Sequence, residues 1–175
     1  GGGNSSGEFI SRQQGRIAFT GGEHVLKDAA LASEAPRREE PRFGVTGGTV
    51  TVKGTVDAPE NIHEGRDLER AGLAMTGGTI EGAGTLVLGS LRWQGGTMAG
   101  DGATRVRKAA VFGPNKPRER AEARETLDLS RKLVLGSRDK STREPSDEPR
   151  GRWGNVDLTL RSGGTLQIGA GVEQP

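Results

Sequence analysis

Apolar residues in this chain come in pairs two positions apart. The pairs are Ile17/Phe19, Phe43/Val45, Val50/Val52, Leu73/Met75, Leu86/Leu88, Leu91/Trp93, Leu127/Leu129, Leu133/Leu135, Leu158/Leu160 and Leu166/Ile168. A two-residue period is that of a strand whose alternate side chains point to one face, so the pattern predicts many short strands and no long helix. Each apolar stretch is bounded by Gly, Asn or Ser, residues that supply the positive φ or the side-chain hydrogen bonds of tight turns. Strands this short do not make a stable isolated hairpin, but they suffice when successive coils of chain stack on one another.

The turn residues themselves repeat. Gly-Gly pairs preceded by Thr, Gln or Ser stand at 21–22, 47–48, 77–78, 95–96 and 163–164, spaced by 26, 30, 18 and 68 residues. Four of them continue with Thr and then an apolar residue: Thr49-Val50, Thr79-Ile80, Thr97-Met98 and Thr165-Leu166. The sequence therefore predicts an all-β fold, a single-stranded parallel β-helix (β-solenoid) with charged loop or short-helix insertions. Ordinary hairpin turns in an open sheet or sandwich are the competing reading, because Gly-Gly between alternating segments is also a hairpin signal.

Composition fits the first reading. The chain has 175 residues, 30 of them Gly and none Cys or Tyr. Leu, Ile, Val and Phe make up about 19% of it, a level at which disorder becomes the default expectation, yet the net charge is only +2. A solenoid core one or two side chains wide needs few large apolar residues, while Gly serves its corners and Thr its exposed strand positions. Disorder is expected mainly at the N-terminus and around 138–150. The absence of Cys excludes a disulfide scaffold, and no run of apolar residues is long enough for a membrane helix. With no initiator Met and a Gly1-Gly2-Gly3 start, residues 1–175 read as one solenoid segment, a fragment of a larger repeat protein.

The stretch Leu91-Arg92-Trp93-Gln94-Gly95-Gly96-Thr97-Met98-Ala99-Gly100-Asp101-Gly102-Ala103-Thr104 resembles a recurrent segment of large surface proteins. That segment reads apolar-Thr-Trp-Ser-Gly-Gly-Thr-Met-Ser-Gly-x-Gly-Thr-Thr. A second Trp-containing rung is matched by Gly151-Arg152-Trp153-Gly154-Asn155-Val156-Asp157-Leu158-Thr159-Leu160, and Leu127–Leu133 is similar to the rung that links them. The family is the right-handed parallel β-helix repeats of adhesin-like, autotransporter-like and filamentous-haemagglutinin-like surface proteins. The resemblance covers Leu73 to the C-terminus well and the first 70 residues loosely. It implies an extracellular or cell-surface structural rod, right-handed, with carbohydrate or another surface protein as partner and no specific nucleic acid. It carries no catalytic residue across. This chain departs from the pattern by replacing Thr and Ser with charged residues and by inserting Lys27–Arg42, Arg105–Glu125 and Gly136–Arg150.

Charge is unevenly distributed. Residues 1–103 carry 10 basic and 13 acidic groups, and residues 104–175 carry 15 and 10. Around Lys116–Glu125, the four-residue spacing of Arg118/Glu122 and Arg120/Arg124 predicts a short exposed helix with Pro117 in its first turn. Arg138–Glu148 has no apolar residue and reads as a loop. As an anionic-ligand-binding repeat domain, the chain would use Arg118, Arg120, Arg124 and Arg138. Interleaved acids, and the lack of an aromatic for base stacking, favour a solvated loop instead.

Signals for catalysis are sparse. His24 and His63 each lack a second His at metal-ligand spacing. Parallel β-helices include polysaccharide lyases and hydrolases, which align carboxylates from successive coils. The candidates here are Asp57, Glu60, Glu64, Asp67, Asp101, Asp128 and Asp157. The densest group, Asp57–Asp67, would form an oxygen-rich loop for Ca²⁺, but interleaved His63 and Arg66 and the missing Asp-x-Asp-x-Asp-Gly pattern favour a charged turn. The expected function is a non-catalytic structural or adhesive segment without cofactor or metal. A fragment of a polysaccharide-acting β-helix enzyme, and a decayed repeat with no function of its own, are the alternatives.

Overall fold

The computed structural model describes residues 2–11, 16–33, 43–58, 72–113, 125–135, 150–153, 156–160 and 164–168. These form strands and turns with no helix. The strands are β1 (Gly3–Ser11), β2 (Ile17–Phe19), β3 (Glu23–Ser33), β4 (Phe43–Val45), β5 (Thr49–Ala58), β6 (Leu73–Glu81) and β7 (Thr85–Met98), followed by β8 (Ala103–Phe112), β9 (Glu125–Leu129), β10 (Lys132–Leu135), β11 (Arg150–Trp153), β12 (Val156–Leu160) and β13 (Thr165–Ile168).

All strand pairings among them are parallel. That excludes the hairpin reading of the Gly-Gly pairs for these strands, because a hairpin requires an antiparallel partner. All ten apolar pairs lie in strands. Three ladders result. The first aligns Phe19, Val45, Met75, Trp93, Phe112 and Trp153. The second aligns His24, Val50, Ile80, Met98, Leu129 and Leu160. The third aligns Ala29, Val56, Leu86, Thr104, Leu133 and Leu166.

Among the described residues the chain passes through the first, second and third ladders in that order six times, preceded by β1 on the second and third. The shortest circuit brings back an equivalent position after 18 residues, as from Gly72 to Ser90, whose hydroxyl accepts the Gly72 N–H at 2.8 Å. Of these positions, those from Phe19 to Leu133 point inward and form one buried cluster, with His24 and Thr104 as its polar interruptions. Phe9, Ile17 and Leu166 pack against its ends. Trp93 and Phe112 stack on successive circuits with ring centroids 6.3 Å apart, within the tilted geometry that aromatic pairs prefer.

Glycine makes the corner between the first and second ladders. Gly22, Gly48, Gly78 and Gly96 hold φ of +75°, +70°, +75° and +93°, a region open to Gly at no steric cost. They also stack directly: a Cβ on Gly78 would lie 2.7 Å from the Gly48 carbonyl oxygen. That oxygen accepts the Thr79 N–H at 2.8 Å, as the Gly22 carbonyl accepts that of Thr49. The Thr after the pair opens the next strand at an outward position, which suits a β-branched polar side chain. The fifth Gly-Gly pair sits elsewhere: Thr165 is aligned with Lys132 on the third ladder, so it belongs to the corner between the second and third ladders.

Three expectations from the sequence need correction. The N-terminus is not irregular: Gly3–Ser11 is a strand paired along its length with β3. The interruption expected from Lys27 begins later, because β3 continues to Ser33. The one expected from Arg105 likewise begins later, because β8 continues to Phe112. In both places alanines and isolated large residues (Leu26, Ala29, Leu31; Val106, Ala110, Phe112) hold the inward positions, which a search for two-apart large residues passes over. The helix expected near Pro117 and the loop at Arg138–Glu148 lie outside the described residues.

Candidate functional site

Outward-facing positions are where a ligand would meet this sheet, and they align as strictly as the inward ones. On the second ladder the outward column reads Glu23, Thr49, Thr79, Thr97, Asp128. On the third it reads Glu8, Ala30, Asp57, Val87, Arg105, Val134, beside a parallel column of Thr55, Thr85, Ala103 and Lys132. The third ladder thus runs from acidic at its N-terminal strands to basic at its C-terminal ones, matching the charge asymmetry of the two halves of the sequence. Asp57 and Arg107 approach to 3.9 Å across this face with side chains 41% and 44% exposed, a contact worth at most about 1 kcal/mol in water. On the second ladder the Thr51 hydroxyl donates to Glu81 Oε1 at 3.3 Å.

On the first ladder the outward column reads Gly44, Ala74, Arg92, Val111, of which Arg92 is half-buried and the other three are buried. The Arg16 guanidinium lies across Gly44, so a Cβ there would meet Arg16 Nη2 at 2.6 Å.

Among the described residues, Ser90, Thr104 and Arg131 are polar and buried, and the half-buried His24 lies next to Gly3 of β1 on the second ladder. The His24 Nε2 donates to the Gly21 carbonyl at 2.9 Å, and its ring packs on Phe19 at 5.2 Å. That makes it a corner group of the core. Thr104 is fully buried between Leu86 and Leu133, and its hydroxyl has no hydrogen-bond partner among the described residues. Arg131 is 1% exposed. Its Nη2 donates to the Gly84 carbonyl at 3.0 Å and its Nη1 to the Ala99 carbonyl at 3.3 Å. Burial lowers its pKa to about 10, which leaves it protonated at neutral pH. In the sequence Arg131 has no signal beyond the resemblance of Leu127–Leu133 to a linking rung that often carries Gly-Arg-x-Leu, and it otherwise reads as a charge beside Lys132.

No family model, curated protein or solved structure matches this chain. Its functional reading therefore rests on its own geometry.

Arg118, Arg120, Arg124 and Arg138, the residues expected to bind an anion, lie outside the described residues, as do Glu60, His63, Glu64 and Asp67. The other carboxylate candidates do not converge. Asp57 faces out from the third ladder, Asp128 from the second, and Asp101 occupies the corner between them. The backbone of Asp157 pairs with Thr126 on the second ladder. Glycoside hydrolysis needs two carboxylates facing one bond from opposite sides, and Asp57, Asp101 and Asp128 supply no such pair. Among the described residues no group of three or more His, Asp or Glu is placed to hold a metal ion.

Proposed function

We propose that this chain is a β-solenoid, a single-stranded parallel β-helix, and that it serves as a non-catalytic stalk or adhesive spacer in a large secreted or cell-surface protein. One observation carries the reading. Three parallel ladders are visited in an unvarying order while the inward columns are apolar from circuit to circuit except at His24 and Thr104, the arrangement of a rod whose coils bury their faces only against one another. The resemblance of Leu91–Thr104 to adhesin-like rungs supplies the surface location and the right-handed sense. The outward columns, Thr-rich on the second ladder and sparsely charged on the third, suit a rod face better than a catalytic groove.

Fold and function are tested separately. The chain has no native Cys, so spin labels attach only where Cys is introduced. Thr55→Cys and Thr165→Cys lie four strand spacings apart on the third ladder, which at about 4.8 Å per strand predicts a backbone separation near 19 Å. A separation above about 30 Å would overturn the stacking order. For function, the full chain is incubated with polyuronates and neutral polysaccharides, following unsaturated products and reducing ends. No turnover is expected; either product overturns the non-catalytic reading in favour of a lyase or hydrolase.

A further inference from the structure

Between the second and third ladders, one corner is two residues shorter than the three before it. Four residues make it in three consecutive circuits: Thr51–Gly54, Glu81–Gly84 and Ala99–Gly102. In the next circuit only Ser130 and Arg131 separate Leu129 from Lys132. The shortened corner brings the Arg131 side chain inward, beneath the glycines of the circuits before it. Gly102 leaves the space it uses, since a Cβ there would stand 2.8 Å from Arg131 Nη2. The guanidinium reaches the Ala99 carbonyl one circuit away and the Gly84 carbonyl two circuits away. The Gly84 carbonyl also accepts the Ala103 N–H at 3.2 Å, so one oxygen joins a backbone rung and the side chain.

The circuit that carries Arg131 is also assembled from distant pieces of chain. Its first-ladder strand ends at Phe112, its second-ladder strand begins at Glu125, and its third-ladder strand ends at Leu135, with β11 resuming at Arg150. Closing such intervals costs entropy that the 18-residue circuits before it do not face. Beside the ladder pairings of Leu127–Leu129 and Lys132–Leu135 with the circuit before, the backbone bonds at this corner run from Ser130 N to Met98 O at 2.8 Å and from Lys132 N to Gly102 O at 3.4 Å, the second of them long.

We propose that Arg131 is an internal tie: its guanidinium couples the insertion-bearing circuit Glu125–Leu135 to the two compact circuits before it, so that all three open as one cooperative unit. An apolar side chain of the same length would fill the same space but bond neither carbonyl. Among the described residues no carboxylate pairs with this buried cation, and two carbonyls on different circuits receive charge-assisted hydrogen bonds from it instead. The tie also fixes where the segments 114–124 and 136–149 leave and rejoin the sheet. It depends on the strand register and not on the rod function proposed above.

Native-state hydrogen exchange on the full chain tests it. In the wild type, the Ser130 and Lys132 amides are expected to share the protection of Ala99 and Ala103 within about threefold, as members of one cooperative unit. In Arg131→Met, which keeps length and loses every donor, protection at Ser130 and Lys132 is expected to fall at least about tenfold while Ala99 and Ala103 hold. Equal losses at all four amides, or none, overturn the proposal. Arg131→Lys, with a single cationic donor, should fall between the two. Should Arg131→Met fail to fold, that ordering and the wild-type comparison decide: wild-type protection at Ser130 more than about tenfold below that at Ala99 overturns the tie.

Discussion

Replacing Gly78 by Ala should destabilise this protein far more than the same change at Gly21, although both belong to the same Thr-Gly-Gly motif. Gly78 sits at φ +75°, and an L-residue in that region costs about 1–2 kcal/mol. Space adds to the penalty. The new Cβ would lie 2.7 Å from the Gly48 carbonyl oxygen, 2.8 Å from the Gly47 carbonyl carbon and 3.0 Å from the Gly47 Cα. These are backbone atoms, so no rotamer change relieves the contact. The circuits must separate by a few tenths of an ångström, which lengthens the 2.8 Å bond from Thr79 N to Gly48 O and forfeits part of the roughly 1 kcal/mol such a bond contributes. The sum is about 1–3 kcal/mol. Gly21 has no left-handed φ and nothing within 4 Å of an added Cβ, so Gly21→Ala should fall between neutral and about 1 kcal/mol stabilising, through the lost freedom of the unfolded chain. Urea unfolding followed by far-UV circular dichroism measures both, with a lower midpoint at unchanged slope as the expected signature for Gly78→Ala. Equal midpoints for the two variants would refute the corner-stacking argument.

Four further outcomes are expected from the same assay. Asp28 holds φ +46° and its carboxylate accepts the Thr55 N–H at 2.9 Å; Asp28→Ala should cost about 1–2 kcal/mol and Asp28→Gly less, because Gly relieves the backbone while losing only the acceptor. Thr104→Val removes a buried hydroxyl without a partner among the described residues and should stabilise by about 1 kcal/mol, whereas destabilisation would mean that the hydroxyl is bonded. Met98→Ala empties a fully buried position between Ile80 and Leu129 and should cost about 2–5 kcal/mol. Asp57→Asn breaks an exposed ion pair and should change stability by less than about 0.5 kcal/mol, independent of salt within that margin.

Periodicity by itself determined the strand content: each of the ten apolar pairs lies in a strand, because inward positions of a narrow core must be apolar and a strand repeats every two residues. The glycine pairs likewise marked corners, since only Gly adopts a left-handed φ while another backbone crosses within van der Waals range. The sequence favoured parallel stacking but left hairpins as a competing reading, because Gly-Gly marks either kind of turn; the register of distant segments, such as Thr49 against Thr79, decided for parallel pairing among the described strands. It could not see β1, most of β3 or β8. Their inward sites mix small residues (Ala29, Thr104, Ala110) with isolated large ones (Leu26, Leu31, Val106, Phe112), whose burial comes from the strands stacked on either side. Arg131 shows the same limit most plainly. In the sequence it is a charge beside Lys132, and only a corner two residues short turns its side chain inward to two carbonyls on other circuits. Local pattern fixes what each residue prefers, but which strands become neighbours, and which polar group ends up between them, is a property of the stacked circuits.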